Sequence, residues 1–183
     1  MSAMQEQRGT PLTRAESAPH STARRRATLV WVVLAASVLI DQVTKWWALR
    51  DLEPGVTHPF IDGLLSLRLI RNPGAAFSML DGMTYVVTAI AVGIVIRILH
   101  LAHTRLLSRG YAWILGLVAG GAIGNLLDRF LREPGVGRGH VVDFIDYGGM
   151  FVGNVADIVI VLAAAAFAAY ALRGIRLDGT RES

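Results

Sequence analysis

Cysteine is absent from the 183-residue chain, and lysine occurs once, at Lys45. The first absence removes disulfides, thiol nucleophiles and thiolate metal sites, and leaves the redox compartment unmarked. The second means that the formal net charge of +4 is carried almost wholly by arginine. Those arginines cluster beside apolar stretches without forming a stripe, which favours orientation in a membrane over nucleic-acid binding. Charge is scarce as well: 17% of residues are charged and 53% hydrophobic, too apolar for an ordinary soluble domain, so a bilayer is the expected solvent. From Tyr111 to Leu172 there is no serine, threonine or cysteine. That excludes a serine, threonine or cysteine nucleophile from this region. Ser37, Ser66 and Ser78 occur elsewhere without a nucleophile-elbow pattern, and no paired-histidine zinc motif is present. The sequence calls for neither a metal nor a cofactor.

Residues 1–26 are polar, lack apolar periodicity and end in Arg24, Arg25 and Arg26, so a disordered cytoplasmic tail is expected there. The apolar stretch that follows, 27–49, is longer than a signal-peptide core and has no small-residue cleavage site. It reads as a retained transmembrane helix. Three more stretches, 83–102, 111–131 and 151–172, match the roughly 20 residues that a hydrocarbon core requires. The expected fold is an α-helical integral membrane protein with four transmembrane helices over residues 27–172, followed by a cytoplasmic tail, 173–183. Arg24 to Arg26 precede span one, Arg97, Arg105 and Arg109 lie around the link from span two to span three, and Arg173 and Arg176 follow span four, which predicts that both termini are cytoplasmic. Leu65, Leu67 and Leu69 alternate with Ser66, Arg68 and Ile70, predicting a small extracytoplasmic β-rich segment between helices 1 and 2. Between the last two spans, the glycine-rich stretch carrying Val141 to Ile145 is compatible with a surface loop or a small strand.

Ionisable groups inside a span cost several kcal/mol unless paired or hydrated, so each is a functional candidate. With this topology Asp41 and Lys45 lie in the outer half of span one, Asn125, Asp128 and Arg129 near the outer end of span three, and Asn154 and Asp157 at the outer start of span four. Asp41 sits roughly 12 Å of helix from the outer end. Asp41 and Lys45 are four apart; Asn125 and Asp128, like Asn154 and Asp157, are three apart, so each pair shares a helix face. Ion pairing, as of Asp41 with Lys45 or Asp128 with Arg129, would account for any one cluster. Three clusters at one depth point to a site. Gly116, Gly120 and Gly124 repeat every four residues, the pattern that lets helices approach closely and would hold Asn125 and Asp128 against neighbours.

The chemically able groups that remain are carboxylates: Asp41, Asp128, Asp143, Asp146 and Asp157. His140, alone in its loop, is expected to be solvated. Two carboxylates held close share one proton, so that one can deprotonate water while the other donates to a carbonyl oxygen. Periodicity does not choose which two form such a pair.

Five segments occur in a characteristic order: Asp41-Gln42-Val43-Thr44-Lys45; Asn72-Pro73-Gly74-Ala75-Ala76-Phe77; Gly120 through Asn125 to Asp128-Arg129; Gly139-His140-Val141-Val142-Asp143-Phe144; and Asn154-Val155-Ala156-Asp157. With these the chain resembles lipoprotein signal peptidase, the bacterial type II signal peptidase, from span one through span four. The resemblance implies an aspartic endopeptidase of the bacterial cell membrane with Asp143 and Asp157 as its catalytic dyad. Supporting or substrate-binding roles are implied for Asp41, Lys45, Asn72, Gly74, Asn125, Asp128, Arg129 and Asn154. The implied substrate is a diacylglyceryl-modified prolipoprotein, cut before its lipidated lipobox cysteine, with the active site at the extracytoplasmic face and membrane lipid as the surroundings. No nucleic-acid partner is implied; a monomer is compatible, and the oligomeric state is not fixed by the sequence. One departure is that the aromatic the family places directly before the last asparagine is here Phe151, separated from Asn154 by Val152 and Gly153.

Two other classes compete. A proton-coupled transporter would distribute its relay across the membrane, yet the inner halves of spans three and four carry no ionisable group except terminal tyrosines. A purely structural bundle explains the glycines but not the common depth of the carboxylates.

Overall fold

The computed structural model describes residues 18–74, 84–105 and 107–181. Most of the expected tail, Ala75 to Phe77 of the second motif, and Met83 at the expected start of span two lie outside the described residues. Four helices are long and apolar enough to cross a membrane: α1 (Ala18–Asp51), α2 (Thr84–Thr104), α3 (Arg109–Leu131) and α4 (Val155–Leu172). Helix α1 begins ahead of the expected boundary at residue 27, so the last part of the tail expected to be disordered is helical. Pro19 falls in its first turn, where a missing N–H breaks no helical hydrogen bond, and no glycine or proline follows before Asp51. Helix α4 starts later than the expected residue 151. Val152 and Gly153 form a strand instead, and Asn154 caps the helix with its side chain accepting from the Asp157 N–H.

The sheet contains more than the segment between the first two helices. Strands β1 (Thr57–Ile61) and β2 (Leu65–Asn72) are joined by β3 (Val141–Asp146) and β4 (Val152–Gly153) in an antiparallel order β1-β2-β3-β4. The pairing of Ile70 with Asp143 and Asn72 with Val141 brings the end of β2 alongside the acidic strand. A bulge between Leu67 and Ile70 shifts the register of β2 against β3. Strand alternation turns Val142 and Phe144 down into a cluster with Ala48, Leu52 and Leu69, while Asp143 points to the other face. Trp47 of α1 meets the Phe144 ring edge to face, centroids 6.1 Å apart.

Helix α3 is the centre of the bundle, packed on α1, α2 and α4. Its glycine stripe makes this possible. A Cβ on Gly116 would come within 2.9 Å of the Val33 Cβ, and one on Gly120 within 2.6 Å of the Ser37 Cβ and 2.8 Å of the Leu34 carbonyl oxygen. Gly121, on the adjacent face, lies against α4, 2.9 Å from the Ala156 carbonyl oxygen by the same construction. Small residues let the backbones meet, and lipid gives no hydrophobic drive that could replace the packing. Gly120→Ala should therefore destabilise the protein by about 1–3 kcal/mol through overpacking. Gly93→Ala, in open space on α2, should not. Thermal unfolding of both variants in detergent checks the contrast.

Candidate active site

Three helices and the sheet converge on Lys45, which is fully buried. Its ammonium contacts Asp41 Oδ2 at 2.9 Å and Asp128 Oδ2 at 2.8 Å, and donates to Asn125 Oδ1 at 2.9 Å. Three acceptors match the three donors of the ammonium. The two aspartates extend the network to the backbone: Asp41 Oδ1 accepts from the Ala156 N–H (3.2 Å) at the start of α4, and Asp128 Oδ2 accepts from the Val142 N–H (3.1 Å) on β3. Asp41 thereby satisfies a helix N-terminal N–H that has no partner within α4. Gln42 adds a clamp, its amide donating to Asp41 Oδ2 and to the Gly124 carbonyl.

The pairing of Asp128 differs from one sequence expectation. Its second oxygen binds Arg132 Nε at 2.5 Å, one helical turn on, and Arg129 turns away from it to donate to the carbonyls of Gly139 (3.1 Å) and Asn72 (3.4 Å). Adjacent residues on a helix point about 100° apart, whereas an i,i+4 pair shares a face. That spacing was available in the sequence and identifies Arg132.

Asp143 and Asp157 lie on β3 and in the first turn of α4, and Asn154 joins them. Its side-chain amide donates to Asp143 Oδ1 at 2.6 Å, while its backbone N–H donates to Asp157 Oδ2 at 3.0 Å. Asn72 donates to Asp143 Oδ2 (2.7 Å), and its own Oδ1 accepts from the Gly74 N–H (2.8 Å), which fixes the amide's orientation. Gly74 makes that turn at φ 111°, a conformation L side chains rarely adopt. Asn125 completes the connection by donating to Asp157 Oδ1 at 3.0 Å while accepting from Lys45 and Asn154. Burial pushes the Asp143 carboxyl up to about 6, opposed by the Asn72 and Asn154 donors and reinforced by the negative charge of Asp157.

The pair sits at one end of a cavity of about 310 Å³. Asn125, Arg129 and both carboxylates form its polar end; Val87, Ala91 and Ile94 of α2, Val118 and Ala122 of α3, and Ile160 of α4 form apolar walls. The structure thus brings together Asp41, Lys45, Asn72, Asn125, Asp128, Arg129, Asp143, Asn154 and Asp157, with Gly74 acting through Asn72. Asp146 stands apart, bound to Arg68 at 3.1 Å and to the Gly149 N–H at 2.7 Å. His140 enters no side-chain hydrogen bond among the described residues. Tyr147 was not foreseen. It stacks on Phe151 with centroids 4.4 Å apart, and burial, then the charge of Asp157, raises its hydroxyl above the ordinary range. Among the described residues no three His, Cys, Asp or Glu side chains are grouped as metal ligands.

A four-span bundle in which two carboxylates, both bonded to Asn154, line one largely apolar cavity fits the class of integral membrane hydrolases. Comparison with known proteins narrows it. The family model described as signal peptidase (SPase) II matches residues 33–173. A lipoprotein signal peptidase of Rhodococcus jostii (strain RHA1) is 46% identical over 164 residues, 90% of this chain and 82% of the relative; one of Mycolicibacterium smegmatis (strain ATCC 700084 / mc(2)155) is 45% identical over 170 residues, 92% and 72%. A bacterial membrane enzyme solved by the in meso method at 1.9 Å resolution superposes with a TM-score of 0.69 at 26% identity, covering 79% of this chain and 92% of that one. The chain belongs to the signal peptidase II family, the multi-pass bacterial membrane proteases that cleave signal peptides from prolipoproteins.

Replacing Lys45 with methionine should leave two buried carboxylates without their shared cation, at a cost of about 3–5 kcal/mol. Thermal unfolding in detergent should show Lys45→Met far below wild type, and a Tm within a degree or two of wild type would contradict the role given to this network.

Proposed function

We propose that Asp143 and Asp157 form the catalytic dyad of this peptidase, and that it cuts diacylglyceryl-modified prolipoproteins immediately before the lipidated cysteine. The observation that carries the reading is the Asn154 bridge, which holds one carboxylate by its side chain and the other by its backbone at the mouth of an apolar cavity. Water between the carboxylates loses a proton to Asp157, and its oxygen bonds to the scissile carbonyl carbon. Asp143, carrying the shared proton, donates it to the carbonyl oxygen, so no full oxyanion forms in an apolar site. Collapse of the tetrahedral intermediate breaks the C–N bond as Asp157 passes its proton to the leaving amine and a hydroxyl of the intermediate returns one to Asp143, restoring the singly protonated pair. The new carboxyl terminus stays on the signal peptide, and the lipidated cysteine becomes an amino terminus.

The apolar walls suit a substrate that arrives within the bilayer, its signal helix in hydrocarbon and its lipidated cysteine near the polar end. Arg129, Asn125 and Asn72 position the carboxylates and line the space beside them. Both termini are assigned to the cytoplasm and the dyad to the extracytoplasmic face, because arginines concentrate at the end of the bundle opposite the sheet.

Cleavage of a purified lipidated prolipoprotein in detergent tests the dyad. Asp143→Asn and Asp157→Asn should each lower kcat/KM by at least about a hundredfold while remaining folded, and an unlipidated substrate should be cut poorly by every form. Equal cleavage by all three proteins would exclude the carboxylate mechanism. Asp143 is protonated below about 6 and ionised above, so kcat/KM should fall as pH rises through about 6, where the dyad gives up its shared proton. The absence of native cysteine makes topology directly measurable. A membrane-impermeant maleimide applied to intact cells with permeabilised outer envelopes should label Glu133→Cys but not Thr180→Cys until the inner membrane is lysed.

A further inference from the structure

At the end of the bundle opposite the carboxylates, α2 and α4 both pack on α3 and scarcely touch each other. They leave a cleft of about 830 Å³ there. Its polar rim carries Arg97 and Arg105 of α2 and Arg176 beyond α4; its apolar walls are Leu101, Leu115 and Phe167. Arg97 and Arg105 also line an adjoining cleft of about 510 Å³ with His100 and Thr104. The one acidic residue lining it is Asp178, whose carboxylate accepts from the Thr180 N–H and hydroxyl and also attracts Arg176, so the uncompensated charge is that of Arg97 and Arg105. The balance of charge at the mouth is positive.

Arg97 is the telling residue. It lies within the apolar span of α2, about 10 Å of helix from its end at Thr104. It is exposed and, like Arg105, enters no ion pair among the described residues. A guanidinium at that depth is costly unless it reaches an anion or the interface. The substrate does not supply that anion, because the cytoplasmic segment of a signal peptide is itself positively charged. We propose that this cleft binds an anionic phospholipid of the inner leaflet, its phosphate held between Arg97 and Arg105 and an acyl chain lying along Leu101, Leu115 and Phe167. Basic pockets between transmembrane helices on the cytoplasmic side have the charge and shape for such headgroups. The bound lipid would fill the groove between α2 and α4 below the peptidase cavity and present its negative charge to the basic end of an incoming signal peptide. The proposal rests on the four-span membrane reading and on the orientation given above, and is independent of which carboxylates do the chemistry.

Native mass spectrometry of the full chain in detergent, titrated with phosphatidylglycerol or with phosphatidylcholine of the same acyl chains, tests it. Wild type should bind phosphatidylglycerol at least roughly tenfold more tightly, and Arg97→Gln/Arg105→Gln should lose that preference. Arg24→Gln/Arg25→Gln, which removes the same charge outside the cleft, should keep it. The conservative Arg97→Lys/Arg105→Lys should retain most of it, and peptidase activity in neutral detergent reports that each variant is folded. Undiminished preference in the Arg97→Gln/Arg105→Gln protein, or equal loss in the Arg24→Gln/Arg25→Gln protein, would overturn the site. Displacement of the lipid by millimolar inorganic phosphate would show a free-anion site instead and overturn the lipid assignment.

Discussion

A single buried ammonium sets the geometry of everything around it. Lys45 is fully buried, so its three hydrogens must each find an acceptor, and they find Asp41, Asp128 and Asn125. Each acceptor then reaches a different part of the fold. Asp41 holds the start of α4, Asp128 holds β3, and Asn125 holds the side chain of Asp157. The lysine touches neither member of the dyad proposed above, yet it joins the helices and the strand that carry them. Placing such a network in hydrocarbon is expensive unless every partner is present, and that makes the arrangement close to all-or-none. The glycine stripe of α3 is the steric counterpart of the same constraint. Gly124 packs directly on Asp41, where even a methyl group would displace the carboxylate from the lysine.

Much of this was legible in the sequence because the membrane simplifies the code. Long apolar runs give the four spans, the four-residue glycine repeat gives a close helix contact along α3, and polar residues at one depth give the layer in which the site lies. What escaped was set by long-range pairing. The run from Val141, open in the sequence to either a surface loop or a small strand, is a strand because β2 offers it a free edge some 70 residues away. The start of α4 moved from Phe151 to Val155 for the same reason, since pairing with β3 claimed Val152 and Gly153. The displaced Phe151, which departs from the family pattern, stacks on Tyr147 across the turn that joins β3 to β4. The ion pair considered for Asp128 with the adjacent Arg129 is made instead with Arg132, which helical geometry favours. The choice of Asp143 with Asp157 came from the family resemblance; periodicity alone left five carboxylates open.

The remaining question is why paired carboxylates suit this location. An amide cut at a membrane surface needs water, a base and an acid without a permanent charge imbalance in the apolar cavity. A pair sharing one proton, as proposed for Asp143 and Asp157, carries a single negative charge, and the amides of Asn72, Asn125 and Asn154 stabilise it with donors that never ionise. A transporter would need a polar path continuing inward from these groups. The cavity that the carboxylates line is also walled by Ile94, Val118 and Ile160, which suits a lipid-borne substrate and, among the described residues, continues no chain of ionisable groups.

The central claim is that Asp143 and Asp157 act as one catalytic unit. It is tested most directly by measuring kcat/KM for the two single asparagine variants and for the double variant Asp143→Asn/Asp157→Asn on one lipidated substrate. Groups that act as a unit are strongly non-additive, so the double variant should be no slower than the slower single variant, within about a factor of three. If the two losses instead multiplied, the carboxylates would be contributing independently, and the account of a shared proton and a joint mechanism would be contradicted.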